Sequence, residues 1–386
     1  MAGPDGTLAA MTGTPAPPIW DRFAHWGPLP ARLLLIALIA LLAASAMVPI
    51  NAGRSTIKTK NFVEVLVKDN HAGLERKRDE DLALYDRAIE RIRHGESYYQ
   101  FIVAEQRLAH YPVRPGLAVR LPTLAYLDAW LGVPGQFAAA IALLVAVLIA
   151  WWRRLGEEQG ALRRRVMAIA LLALGASLGL NRDFFVLHEL WAGMLLALSF
   201  GLHRVKSSGS RGKWGWSLAV AALALAIREL SLPFVLLMAA MAFWRDDRRE
   251  GFAWTGLAVA FLAVLAFHLH IIAGQTSPND PLSASWLEMR GLSGWLSNVA
   301  LSSNVRSLPH WLAGPLVMLA ILGWASWRSA AGAFATLLYL GYGLAFMIAG
   351  RGDNYYWGFM VAPAMFIGLA FVPMGLKSLW RSAYAR

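Results

Sequence analysis

The sequence predicts an all-α polytopic membrane protein of about ten transmembrane helices, with a large first extracytoplasmic loop carrying amphipathic surface helices. Three observations predict it. Hydrophobic residues make up 57% of the 386 and charged residues only 16%. Long apolar runs recur along the whole chain. Basic residues gather in the short joins between those runs. A soluble domain of this composition would have too little polar surface to cover its core. The formal net charge of +12 does not argue for nucleic acid, because the arginines and lysines sit in short loops where they set topology. The chain has no cysteine, which excludes disulfides, thiolate nucleophiles and Cys-ligated metal.

Residues 1–29, rich in Gly, Pro and Thr, are expected to be a disordered cytoplasmic N-terminus. Residues 30–386 are expected to form a single integral membrane domain. The first run, 33–50, is long enough to span. Its Ala44-Ser45-Ala46 also reads as a cleavage site, but the leader ahead of it is longer than a signal peptide's, so a retained span is expected. The other runs are 137–152, 166–180, 184–202, 214–227, 230–244, 252–273, 311–327, 331–349 and 356–373. Two joins are tight: Asn181-Arg182-Asp183 and Arg228-Glu229. Because Arg-Glu-Leu is a weak turn signal, 214–244 reads either as a hairpin or as one interrupted helix. Charge decides for the hairpin. With the N-terminus inside, ten spans place Arg153, Arg154, Arg163, Arg164 and Arg165 in one cytoplasmic loop. The next loop holds Arg204, Lys206, Arg211 and Lys213, and the one after it Arg245, Arg248 and Arg249. Arg328 follows, and then a tail beyond Pro373 with Lys377, Arg381 and Arg386. Fusing the two short spans would put the later charges outside.

Two segments then lie outside, 51–136 and 274–310. In the first, Leu82, Tyr85, Ile89 and Ile92 recur at helical spacing and make 79–93 an amphipathic helix. Asp79, Glu80 and Asp81 fall at its start, where they either stabilise the helix terminus or do chemistry. The stretch 117–131 is apolar but broken by Arg120 and Pro122. It is expected as a half-buried helix returning toward the membrane, with an eleventh span as the alternative. In the second segment, Trp286, Leu287, Met289, Leu292, Trp295, Leu296 and Val299 predict a helix lying in the interface. No internal repeat is visible, which argues against a transporter.

Ionisable groups converge on the outer ends of the spans. Glu189 is expected about 9 Å into its helix, and Arg228 and Glu229 below the surface at the tip of two short spans. Arg351 and Asp353 stand at a third outer join in Gly350–Gly358, GRGDNYYWG, beside Asn354. Such groups are costly in spans and mark either function or helix pairing. Arginines suit a phosphate, and a nearby carboxylate suits removal of a hydroxyl proton. A lipid phosphate and an alcohol acceptor are therefore expected. If Arg228 and Arg351 instead hold helices together, the phosphate site falls to Arg114, Arg120 or Arg182. His268 and His270 do not share a helix face, so no metal pair is expected; His110 and His188 are given no role.

The layout of a first span followed by a large outer loop with an acidic helix resembles the GT-C superfamily of polyprenyl-phosphate-sugar-dependent glycosyltransferases. It is similar to bacterial aminoarabinose transferases and protein O-mannosyltransferases. The stretches carrying the resemblance are DLALYDRAIERIRHGESYY from Asp81, YPVRPGLAVRLPTLAYL from Tyr111, HELWAGMLLALS and AIREL. Members often read Asp-Glu-x-x-Tyr in the acidic helix. Here Tyr85 follows Asp81 by four, while the Asp-Glu pair is Asp79-Glu80. The resemblance implies a sugar presented on an isoprenoid phosphate at the periplasmic side of a bacterial inner membrane. An aspartate, Asp81 first and Asp86 second, deprotonates the acceptor hydroxyl of a glycan, lipid or protein. It implies Arg228 and Arg351 at the phosphate, Glu189, Glu229 and Asp353 in orientation, and Tyr85 and Asn354 at the substrate. A divalent cation, Mg or Mn, is compatible with the departing phosphate. The rival classes are an O-antigen ligase or polymerase, whose large outer loop usually comes late in the chain, and a lipid or solute transporter or flippase.

Overall fold

The computed structural model describes residues 20–50, 80–156, 162–205 and 212–385, with Glu80 and Asp81 described by backbone alone. Among these residues the secondary structure is helical, and the only β contacts are four isolated bridges. The helices are α1 (Pro28–Met47), α2 (Glu80–Arg93), α3 (Tyr98–Leu108), α4 (Thr123–Leu155), α5 (Leu162–Ala176), α6 (His188–Leu202) and α7 (Gly215–Ile227). They continue as α8 (Leu232–Trp244), α9 (Arg248–Ala273), α10 (Gly291–Leu301), α11 (His310–Ser326), α12 (Ala330–Ile348), α13 (Ala362–Met365) and α14 (Val372–Tyr384).

Among the described residues, five helical stretches are long and apolar enough to cross a membrane: Pro28–Met47, Gly116–Leu155, Arg248–Ala273, Ala330–Ile348 and Ala362–Tyr384. Ile36 and Ile39 of α1, and Val259 and Phe267 of α9, remain exposed. Apolar faces of that extent fit surrounding hydrocarbon better than water. The other five expected spans correspond to α5, α6, α7, α8 and α11, which have 13 to 17 residues. At ~1.5 Å per residue these reach roughly 20–26 Å, short of the ~30 Å hydrocarbon core.

The helix ends sort onto two faces. On one, a basic face, Arg154 donates to the Phe200 carbonyl at 2.9 Å, His203 meets Glu250 at 2.7 Å, and Arg245 meets Glu250 at 3.2 Å. The Arg204 and Lys213 backbones pair there. Arg22 N–H donates to Ser326 and Arg328 N–H to Trp20. On the opposite face, α2 and α3 lie near the N-terminal end of α6, the tip of α7–α8 and the segments around 274–290 and 350–356. Gln275 donates to the Tyr99 carbonyl at 2.8 Å, and Gly350 N–H to Trp286 at 2.7 Å. Both free ends of the α7–α8 pair return to the basic face, so Arg228-Glu229 turns a hairpin, as the charge pattern predicts.

Several expectations need correction. Residues 20–29, expected to be disordered, are ordered: Asp21 bridges to Trp327 and bonds Ser378, and α1 starts at Pro28, where a proline's missing N–H costs nothing. Residues 1–19 lie outside the described set. The stretch 117–131 holds the expected helix, from Thr123 on, but at nine residues this is too short for an eleventh span. It forms the first part of α4 and is set off from the span that follows by Gly132 (φ +63°, ψ 177°), a non-helical conformation that glycine adopts without penalty. The interfacial helix expected over 286–299 is instead α10, starting at Gly291, and Gly294–Ala300 are buried inside the bundle. Trp295 can enter because it occupies the space a side chain at Gly343 would fill. The last expected span, 356–373, is broken. It runs as 3-10 turns over Gly352–Met360, then α13, then 3-10 turns over Phe366–Phe371. Gly193 of α6 presses on that ribbon so closely that a Cβ would stand 1.9 Å from the Phe359 carbonyl oxygen. The tail after Pro373 is not a loop. It is α14, amphipathic and docked on the start of α1, where Arg32 donates to Ala383 at 2.8 Å.

Candidate functional site

The site grows from three helix ends that meet on the face opposite the basic one. α7 stops at Ile227, and Arg228 leaves it in an extended conformation (φ −145°, ψ 119°) before Glu229–Ser231 forms a 3-10 turn. The two flanking helices have 13 residues each, about 20 Å, beside the 26-residue α9 of about 39 Å. Their tip is thus set below the end of α9. Glu189 lies in the first turn of α6, and Arg120 on the strand-like entry to α4.

Arg228 is 1% exposed. Its Nη2 stands 2.8 Å from Glu189 Oε1, and its Nη1 contacts Glu229 Oε1. Arg120 Nη1 reaches the same Glu229 oxygen at 3.8 Å. Two arginines and two carboxylates therefore alternate in one chain and neutralise each other. The inner pair is sealed, with the Glu189 side chain 2% exposed. The outer pair is partly open, at 15% for Arg120 and 22% for Glu229. Tyr85 of α2 packs against the His188 ring, centroids 5.3 Å apart. Tyr85 and Tyr356 both lie within electrostatic reach of Arg120.

Arg120 is held by its surroundings. Tyr98 O–H donates to the Arg120 carbonyl at 2.8 Å. One residue earlier, the Val119 carbonyl is 3.1 Å from His268 Nε2. A carbonyl only accepts, so Nε2 carries the proton and Nδ1 accepts from Tyr99 O–H at 3.0 Å. α3 and α9 thus clamp the Arg120 segment from two sides.

The expected site residues separate into groups. Glu189, Arg228 and Glu229 come together, and Tyr85 joins them. Glu189 sits at the start of its helix rather than about 9 Å into it, because 177–187 runs as turns and α6 begins only at His188. Its burial comes from packing. Arg351 does not share the Arg228 cluster's contacts: its Nε is 3.4 Å from Asp353, and its Nη1 donates to the Ala284 carbonyl at 3.2 Å. Asn354 is linked indirectly, its amide donating to Tyr356 O–H at 3.1 Å. Asp86 is half-buried on α2 and lies near Asp128, which is 1% exposed. The Asp81 side chain and all of Asp79 lie outside the described residues.

Arg120, His188 and Asp128 are the residues that sequence reasoning undervalued. Arg120 had a signal, a charge interrupting an apolar stretch beside Pro122. Asp128 had the same signal, a charge inside the apolar stretch 117–131, and His188 stands beside Glu189 inside the expected span 184–202. Of the other fallback arginines, Arg114 donates to the Pro278 carbonyl and Arg182 is exposed on a 3-10 turn.

The described residues of the site do not fit a divalent cation. Glu229 is shared by two arginines and Glu189 is taken by one. Among the described residues no group of three or more His, Asp or Glu side chains could hold a metal.

No protein-family model matches the chain, and no curated protein or solved structure matches it either.

Proposed function

We propose that the chain is a membrane glycosyltransferase of GT-C type, moving a sugar from a polyprenyl-phosphate donor to a hydroxyl acceptor. The observation that carries this reading is the partly open Arg120–Glu229 pair resting on the sealed Arg228–Glu189 pair. A guanidinium held at the rim of a membrane-level cleft suits a lipid phosphate. With basic helix ends facing the cytoplasm, the cleft opens to the periplasmic side of a bacterial inner membrane. An α2 carboxylate, Asp81 or else Asp86, takes the acceptor's hydroxyl proton. The oxygen attacks the anomeric carbon, the sugar–phosphate bond breaks, and Arg120 meets the charge gathering on the departing phosphate. Glu229, Glu189 and Arg228 hold Arg120 in place, while Tyr85 and Tyr356 flank the substrate.

The buried charges favour a second reading, a transporter with a polar path through the bundle. Reconstitution of the full chain in liposomes with a lipid-linked sugar and a hydroxyl acceptor separates the two. A new glycoside, detected by mass spectrometry, is the expected product; donor movement across the bilayer without one supports the transporter. Asp81→Asn or Asp86→Asn should lower the transfer rate by roughly 10²–10⁴. Parental rates in both variants would remove α2 from the chemistry.

A further inference from the structure

An apolar groove of about 590 Å³ lies on the side of the bundle, away from the cleft. Both α1 and α12 pack on α11, which leaves a slot between them with α11 as its floor. Leu34 and Leu38 form one wall, Leu337 and Leu340 the other, and Ile321 and Leu322 the floor. Ala37 and Leu337 are exposed at its edges, so the slot opens sideways, toward hydrocarbon rather than toward either polar surface.

One end of the groove is cationic. Arg22, which lines it, belongs to the basic face through Trp327, whose carbonyl accepts from Nη2 at 3.3 Å. Its Nε is buried with no hydrogen-bond partner among the described residues. Arg328 adds a second positive charge. Burial and that charge push the Arg22 guanidinium below its usual range. The adjacent Asp21 carboxylate directs its hydrogen bonds elsewhere, accepting from Ser378 and from the Phe23 N–H at 3.0 Å. The far end is marked by Trp295 of α10, an element of the opposite half of the molecule. The groove therefore runs from the basic face to mid-bundle, about the depth of one leaflet.

We propose that this groove holds one acyl chain of an anionic phospholipid from the leaflet at the basic face, with the headgroup phosphate on Arg22. An apolar slot alone accepts any chain. The guanidinium at its mouth, which has no carboxylate bonded to it among the described residues, supplies the preference for a phosphate without a compensating positive charge. This site stands apart from the proposed donor cleft and does not depend on the chain being a transferase.

The test uses the full chain in detergent, titrated with phosphatidylglycerol or with phosphatidylcholine of identical chains. Retained lipid is read by native mass spectrometry and the thermal midpoint is followed in parallel. Phosphatidylglycerol should be retained roughly fivefold better, the contribution of about one cation at a membrane surface. Arg22→Gln should erase that preference and Arg22→Lys should keep most of it. Ala37→Trp, which blocks the slot without changing charge, should evict both lipids. Inorganic phosphate alone should shift nothing. Equal retention of the two lipids, an unchanged preference in Arg22→Gln, or a phosphate effect equal to the lipid's would overturn the proposal. So would an Ala37→Trp protein that keeps its lipid but has a smaller oligomeric mass than the parental chain, which would assign the face to a second copy of the chain.

Discussion

Two buried ion networks stand at opposite ends of the α6–α9 helices, and they are finished differently. At the basic end, Glu250 is wholly buried and accepts from three sides, His203 at 2.7 Å, Arg245 at 3.2 Å and the Trp254 indole N–H at 3.2 Å, and only Arg245 Nε is left buried without a partner among the described residues of that network. At the cleft end, His188 Nε2 and Arg228 Nε are buried with no hydrogen-bond partner among the described residues. Glu189 Oε1 lies 2.8 Å from Arg228 Nη2 but outside hydrogen-bonding geometry. An unpaired buried polar group costs about 1–3 kcal/mol. Among the described residues each network leaves one arginine Nε without a hydrogen bond, but only the second also leaves His188 Nε2 and Glu189 Oε1 without one and leads outward through Arg120 and Glu229. The first network fastens helices. The second also fastens them, but it ends at an opening.

The largest expected effect separates the open member from the rest. Arg120→Gln should lower sugar transfer by roughly 10²–10³ while thermal unfolding stays near the parental midpoint, because Arg120 is not the sealed partner. If transfer is unchanged, Arg120 is not at the phosphate. The next effect is on stability and should be alike at the two ends. Arg228→Ala strands Glu189, and Glu250→Ala strands His203 and Arg245, so each should cost about 3–5 kcal/mol in denaturant unfolding. Loss of donor binding in folded Glu250→Ala, with normal binding in Arg120→Gln, would reverse the roles assigned to the two networks. Gly193→Ala is smaller, about 1–3 kcal/mol, as α6 is forced off the Phe359 carbonyl; an unchanged midpoint would show that the ribbon yields freely.

The smallest effect concerns a surface clip over the cleft. Arg107 lies 2.7 Å from Asp280 and holds that carboxyl at about 2. A depressed carboxylate pKa contributes its stabilisation above the unfolded value of about 3.9 and loses it as pH falls through about 2. Hydrogen-exchange protection factors around 275–283, taken against the intrinsic rate at each pH, should therefore be unchanged between pH 7 and 5 and should fall only below about pH 4. In Arg107→Gln protection there should already be low at pH 7.

Composition, run length and arginine placement determined a good deal by themselves. They gave an all-helical chain with apolar helices of membrane-crossing length, an amphipathic α2 and the Arg228-Glu229 hairpin. They also marked Glu189, Arg228 and Glu229 as buried charges of one site. These are local or additive properties: a helix reports its own 3.6-residue period, and each loop reports its own charge. Tertiary structure alone decided which arginine is sealed and which is open. Arg228 and Arg120 differ through the helix ends they meet, and those contacts join residues far apart in the chain. The same holds for α10, apolar enough for a surface helix but drawn inside by the space over Gly343. It holds too for the last run, whose composition suits a span but whose backbone is bent into 3-10 turns by close packing against Gly193. Helical periodicity does not encode contacts between elements, and those contacts built the site.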